Sequence, residues 1–247
     1  MDELTLAHYA LVAGVALVAS VIGGVAGYGP GLLMPPVLAP LIGAEAVIPL
    51  MAISGAMTNT SRIVAFWHDL DVRLAKLIVL FALPPCLIGA YGYTLLSGAG
   101  AALLLGTILI AVVPLRYWLI RHVGHLSSRG VALGATGYGF LIGGTAGTGI
   151  VLLSILLAAG LQGRAVIATD ASISFVLTLT KVSVFQAAGA LPASSWLFAL
   201  LIGCSTLPGA FIAKRLTKNL SLRAHTYILD AAVIVGGSLL LWQGLRG

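Results

Sequence analysis

Charge is what this chain has least of. Asp, Glu, Lys and Arg make up 8% of its 247 residues while 60% are hydrophobic, and mean hydropathy is +1.09. So little polar surface cannot cover a water-soluble globule of this size. Cysteine is nearly missing as well: Cys86 and Cys204 are the two present, both inside apolar runs, where a thiol is expected to be a small core residue. That leaves no disulfide framework, redox pair or thiolate metal site. The five histidines, His8, His68, His122, His125 and His225, fall near the ends of apolar runs, so they supply no ligand group at membrane depth. HExxH, GxSxG and paired-carboxylate patterns are all missing, which argues against an enzyme and against any cofactor or metal.

What is present is apolar sequence in lengths suited to a bilayer. Runs lie near residues 4–26, 46–67, 74–96, 101–119, 131–142, 166–185, 196–212 and 226–242, most close to the ~20 residues that cross about 30 Å of hydrocarbon as a helix. Alternating ten-residue segments of a barrel do not occur. Asp2 and Glu3 open the chain, whereas a secretory signal needs a basic start, so the first run is expected to be a retained span. The net charge of +6 comes without a basic domain interleaved with aromatics, so nucleic acid is not an expected partner. Lys and Arg instead cluster at span ends, Arg116 to Arg129 in one loop and Lys214 to Arg223 in another, as in cytoplasmic loops.

The chain also says one thing twice. Residues 22–33 read IGGVAGYGPGLL and residues 142–153 read IGGTAGTGIVLL, eight of twelve positions agreeing at an offset of 120. The register holds beyond the motif: Gly43 answers Gly163, Ser54 answers Ser174, Thr58 answers Thr178 and Gly89 answers Gly209. Matching glycine-interrupted segments in the two halves of an apolar chain point to a transporter whose site lies between the repeats. Each half is expected to hold one broken element that enters and returns, followed by three ordinary spans. An odd number of crossings then makes the second half upside down, and places both basic loops on one face. The expected fold is an all-α polytopic membrane protein of two inverted repeats, residues 1–120 and 130–247, joined by a basic cytoplasmic linker at 121–129.

Breaks in a membrane helix survive where they line a cavity, and glycine lets backbone N–H groups approach a ligand. Pro30 suits the first turn of the short piece running to Ile42. Tyr28, Gly29 and Gly31 in the first half, and Thr148 and Gly149 in the second, are therefore candidate substrate-binding positions at inward-pointing helix N-termini. Gly23, Gly24, Gly143 and Gly144 instead suit close helix packing. After Arg164, the residues Asp170, Ser174, Thr178 and Lys181 form one stripe about 80° wide at 100° per residue. Asp170 and Lys181 are about 16 Å apart along the axis and cannot pair with each other; each needs another partner, and charges at this depth are functional suspects. The matching stripe of the first half carries Ser54, Thr58 and Ser61, with Asn59 and Arg62 beside it. Arg62 toward the inner end and Lys181 toward the outer end, with hydroxyls between them, describe a path for a small anion. Lys181 snorkelling to the interface is the plainer alternative.

The segments IGGVAGYGPGLLMPPVL and IGGTAGTGIVLL and the loop WHDLDVRLAKLIVLFALPPCLIGAYG resemble the sulfite exporter TauE/SafE family, also called the toluene sulfonate uptake permease family. The resemblance covers nearly the whole chain. It implies a multi-pass carrier of the cell inner membrane that moves sulfite, sulfonates or sulfoacetate, commonly outward. His68, Asp71, Val72 and Arg73 fit the family's loop, but leucine stands where the family has glycine and tryptophan, and the loop is equally suited to anchoring topology and to gating. Asp170 is a candidate proton carrier, since desolvation favours a neutral carboxyl. The apolar outer faces serve lipid and a second subunit equally well, which leaves a homodimer open.

The inverted arrangement makes a direct prediction. Cysteines introduced at Ser97 and Gly189 react with an impermeant thiol reagent from outside intact cells, while those at Ser127 and Ser221 are protected. Labelling of Ser127 and Ser221 variants from opposite sides would establish parallel repeats instead.

Overall fold

The computed structural model describes residues 5–23, 29–122, 124–216 and 222–246; Tyr28, Gly24, Lys218 and Ser221 lie outside them. Ten α-helices and no strand occur among the described residues. In chain order they are α1 (Leu6–Gly23), α2 (Gly29–Ile42), α3 (Ala44–Phe66), α4 (Val72–Thr94), α5 (Gly98–His122), α6 (Ser128–Gly144), α7 (Gly149–Ala158), α8 (Arg164–Ala187), α9 (Ala193–Leu216) and α10 (Leu222–Arg246). Two short pieces followed by three long helices thus occur twice. Val72–Thr94, Gly98–Leu119 and Arg164–Ala187 are long and apolar enough to cross a membrane by length and composition. The chain is an all-α membrane protein.

The breaks are where glycine and capping residues place them. Gly43 and Gly163, equivalent by the 120-residue offset, precede α3 and α8 with φ of 83° and 57°, a region in which a side chain is strained. Ser127 caps α6 by accepting from the Gly130 N–H at 3.3 Å. Asp71 caps α4 by accepting from the Leu74 N–H at 2.9 Å, while its own N–H donates to Thr169 of α8 at 3.1 Å. The WHDLDVR loop therefore ties the start of α4 to α8.

Contact registers fix the relative directions of the helices. On α3 and α8, Arg62 meets Asp170 and Gly55 faces Thr178, so one helix runs up as the other runs down. On α5 and α10, Arg116 meets Asp230, Gly106 meets Gly237, and Ala99 meets Gly244, again antiparallel. Since α8 and α10 are the repeat mates of α3 and α5, equivalent helices point in opposite directions, and the repeats are inverted. By contrast α4 and α6 run parallel, Ala82 on Gly139 and Cys86 on Gly143. Their mates α9 and α1 do the same, with the Tyr9 and Phe198 rings 4.9 Å apart and Ser20 Oγ donating to the Thr206 carbonyl at 2.6 Å.

The short pairs are hairpins that return. The Leu126 N–H, just before α6, donates to the Ala158 carbonyl at the end of α7 at 2.8 Å, so the second hairpin ends on the side where it began. In the first half, Tyr93 Oη at the end of α4 donates to the Ala44 carbonyl at 2.5 Å, and its ring meets Phe185 near the end of α8 at 6.0 Å. The exit of α2 therefore lies beside the end of α8, on the face where α9 and α1 start.

Two placements differ from expectation. Arg116 is not in a loop: it sits in α5, 5% exposed, with Nη2 donating to Asp230 Oδ2 at 2.7 Å while Tyr117 Oη donates to the same oxygen at 2.8 Å. A cation near a span end can be drawn inward when a carboxylate waits on the facing helix, and the sequence alone does not pair residues that are this far apart. Cys86 is buried as expected, but Cys204 is exposed on α9, because it falls on the side of α9 turned away from its neighbours.

Glycine takes the packing role at the α4–α6 seam. A Cβ on Gly89 would lie 2.5 Å from the Phe140 carbonyl oxygen, and one on Gly143 would lie 2.9 Å from the Ala90 nitrogen and press on the Cys86 carbonyl oxygen. Gly137, on the same helix, has open space around it. Gly143→Ala therefore destabilises by roughly 1–3 kcal/mol through overpacking, whereas Gly137→Ala is neutral or stabilising by up to ~1 kcal/mol. Melting temperatures of the two variants in one detergent check this contrast.

Candidate anion-binding site

The tips of the two hairpins meet. A Cβ on Gly31, in the first turn of α2, would lie 2.7 Å from the Gly147 nitrogen, and Gly147 has φ of 78°, so each position demands glycine for close approach and the second for backbone conformation as well. Between these tips and the antiparallel pair α3–α8 lies a cavity of about 140 Å³. Clefts for drug-sized ligands run to about 300–1,000 Å³, so this one suits a small molecule or ion.

The structure brings most of the candidate residues to it. Gly31, Thr58, Asn59, Arg62, Thr148, Gly149, Asp170, Ser174, Thr178 and Lys181 all line the cavity. Gly29 starts α2, and Ser61, grouped with the first-half stripe, is exposed and donates back to the Thr58 carbonyl. Tyr28 lies outside the described residues. Ser54 of the first-half stripe lines the cavity too, and three further polar lining residues carry no sequence expectation: Tyr138 and Thr145 on the second hairpin and Thr206 on α9. At the 120-residue offset Thr206 answers Cys86, an uncharged small residue, so the repeat gives no sign of it.

Three side chains in the lining carry charge. Arg62 Nη1 lies 2.8 Å from Asp170 Oδ2 across the repeat interface and 3.4 Å from Asn59 Oδ1. Arg62 is thus a paired residue, and not a free cation beside one mouth. Lys181 is 4% exposed and does not snorkel to an interface. Its Nζ donates to the Thr145 carbonyl at 2.8 Å, and Thr145 is the C-cap of α6, so the ammonium meets the negative end of a broken helix, a contact worth about 0.3–2 kcal/mol. A neutral carbonyl does not neutralise an ammonium. Two cations against one carboxylate leave the cavity with one formal positive charge.

Polar groups without charge complete the lining. Thr58 Oγ1 donates to the Ser54 carbonyl at 3.0 Å and shares a 3.1 Å hydrogen bond with Thr206 Oγ1. Thr148 is the N-cap of α7, yet its hydroxyl makes no capping bond; it is fully buried and, among the described residues, has no hydrogen-bond partner, and the same holds for the Tyr138 hydroxyl. An unpaired buried hydroxyl costs about 1–3 kcal/mol, so both are donors in want of an acceptor, beside the first amides of α7, whose N–H groups have no helical partner. Net positive charge, orphan hydroxyls and a helix N-terminus suit a small oxyanion.

The sulfite exporter TauE/SafE family model matches residues 12–240. The chain belongs to that family. No curated protein and no solved structure matches it. As a TauE/SafE protein it is a membrane transporter of sulfur-containing anions and not a member of an enzyme family. The resemblance rests on the two glycine-rich segments and the WHDLDVR loop, and in this TauE/SafE chain the described parts of both glycine-rich segments line the cavity, at Pro30 and Gly31 and at Thr145 to Gly149.

The placement of Lys181 gives the test. Lys181→Gln keeps a donor for the Thr145 carbonyl but removes the charge, and is expected to weaken substrate about tenfold or more, a charge-assisted hydrogen bond being roughly twice as strong as a neutral one. Binding measured on the purified variant, with its melting temperature recorded alongside, separates this loss from unfolding. Unchanged affinity would show that Lys181 is only a helix cap.

Proposed function

We propose that the chain exports a small sulfur oxyanion, such as sulfite, a short sulfonate or sulfoacetate, across the cell inner membrane by alternating access. The observation that carries this reading is the compact cavity at the crossing of two inverted, broken hairpins, holding a buried ammonium and a net positive charge. In it, backbone amides at Gly31 and at Thr148 to Ile150, the hydroxyls of Thr58, Ser174 and Thr178, and the Asn59 amide are the donors. Such a ring suits an anion whose oxygens accept from several directions at once. Inverted repeats supply the two-fold relation that alternating access needs: rocking one repeat against the other around a fixed site exchanges the side on which it opens.

A membrane scaffold built from small-residue helices has no use for a buried ammonium without a carboxylate partner at the wall of a cavity, a charge that costs several kcal/mol to bury. Flux of radiolabelled sulfite, sulfoacetate and thiosulfate in proteoliposomes, with and without a proton gradient, distinguishes carrier from scaffold and ranks the substrates. Gly149→Val is expected to abolish that flux in a protein that still folds, because the new side chain occupies the first turn of α7 where the anion approaches. Full transport by a well-folded Gly149→Val protein would remove this position from the site.

A further inference from the structure

Charge counting at the cavity leads to one more step, which rests on the anion-carrier reading. We infer that Asp170 sets the charge of the anion carried: by cancelling Arg62 it leaves Lys181 alone to be neutralised, so the site selects singly charged oxyanions, such as hydrogen sulfite and sulfonates, over doubly charged ones.

The geometry supports this residue by residue. The Asp170 carboxylate is 2.8 Å from Arg62, and Arg62 is its one protein partner among the described residues. Lys181 bonds to a carbonyl and not to an acid. Among the described residues lining the cavity these three are the charged ones. A net charge taken out of water is heavily penalised, so the occupied cavity is most stable when the anion brings it to neutrality. A monoanion does this as the site stands. A dianion leaves one negative charge in excess, and is accommodated only if Asp170 takes up a proton, which restores neutrality at the cost of one proton per anion carried.

Asp170 also has no charged counterpart in the first repeat. The equivalent position at the 120-residue offset is Leu50, and those matching Arg62 and Lys181 are Val182 and Ser61. The hydroxyl pairs Ser54 with Ser174 and Thr58 with Thr178 are duplicated. What the repeats share can hold any oxyanion; what they do not share counts its charge.

The test uses two probes whose charge does not change near neutral pH, methanesulfonate as monoanion and sulfate as dianion. Their affinities are measured by displacement of radiolabelled methanesulfonate from the purified full-length protein in detergent. Wild-type protein is expected to favour methanesulfonate by at least about tenfold, since unit charges a few ångströms apart interact by several kcal/mol in a partly dry site. Asp170→Asn, which adds one positive charge, is expected to move the ratio toward sulfate by at least about tenfold. The double variant Arg62→Gln/Asp170→Asn has the wild-type charge and is expected to return the preference to methanesulfonate; removing both partners of a buried pair is also the gentler change for folding. Wild-type protein that takes sulfate as readily as methanesulfonate overturns the inference without recourse to any variant. So does a double variant that favours sulfate. Wild-type protein that binds neither probe removes the anion-carrier reading itself, and this inference with it.

Discussion

Backbone that leaves the helix inside a membrane must find partners, and the arrangement of this molecule follows from how it meets that demand. Each half opens with two short helices, α1 and α2 in the first and α6 and α7 in the second. At the second break the freed groups are met by Lys181 on the Thr145 carbonyl and by the first turn of α7, whose amides face the cavity. Gly31 in the first turn of α2 and Gly147 in the second break approach closely, so the start of α2 meets the non-helical backbone of the second repeat beside α3 and α8. A break elsewhere would expose N–H and C=O groups to hydrocarbon, at several kcal/mol each. The cavity is therefore the place where the fold can tolerate broken helices, and broken helices supply the donors that make the cavity useful.

Inversion carries a second consequence. Equivalent helices α3 and α8 lie antiparallel against each other, as do α5 and α10, so part of the seam between the repeats is made by repeat mates, and the rest by α4 on α6 and α1 on α9. Duplicated residues then fall on both sides of the same cavity: the hydroxyls of Thr58 and Thr178 both reach it although 120 residues separate them. Charges do not follow this rule. Arg62, Asp170 and Lys181 are each matched by an uncharged residue in the other half, so the two states of a rocking carrier would present the same hydroxyls but different charges to the two sides.

Much of this was legible in the sequence because it is written in local spacing. The 120-residue offset gave the repeat, the glycine runs gave the breaks, and the stripe of Asp170, Ser174, Thr178 and Lys181 follows from helical geometry alone. Lys and Arg at span ends indicated inversion, which the registers of α3 on α8 and α5 on α10 express directly. What was not legible is which distant side chains meet. Nothing in the spacing couples Arg62 to Asp170 or Arg116 to Asp230, since each pair depends on where two helices cross. Tyr138 was passed over for the same reason: an aromatic in an apolar helix resembles core until the fold shows its hydroxyl buried without a partner.

The two ion pairs that join the repeats show how burial divides structure from function. Both set an arginine late in a first-repeat helix against an aspartate early in a second-repeat helix. Asp230 receives two donors, Arg116 and Tyr117, away from the cavity lining, and a pair so enclosed can be satisfied without ever opening. Asp170 receives Arg62 at the wall of the cavity, among the polar groups proposed above to hold the anion. Buried pairs contribute little net stability once desolvation is counted, so the first pair fixes how α5 and α10 align. The second, on the reading proposed above, sets the charge that the anion has to meet. The same chemistry aligns helices away from the cavity and balances charge at its wall.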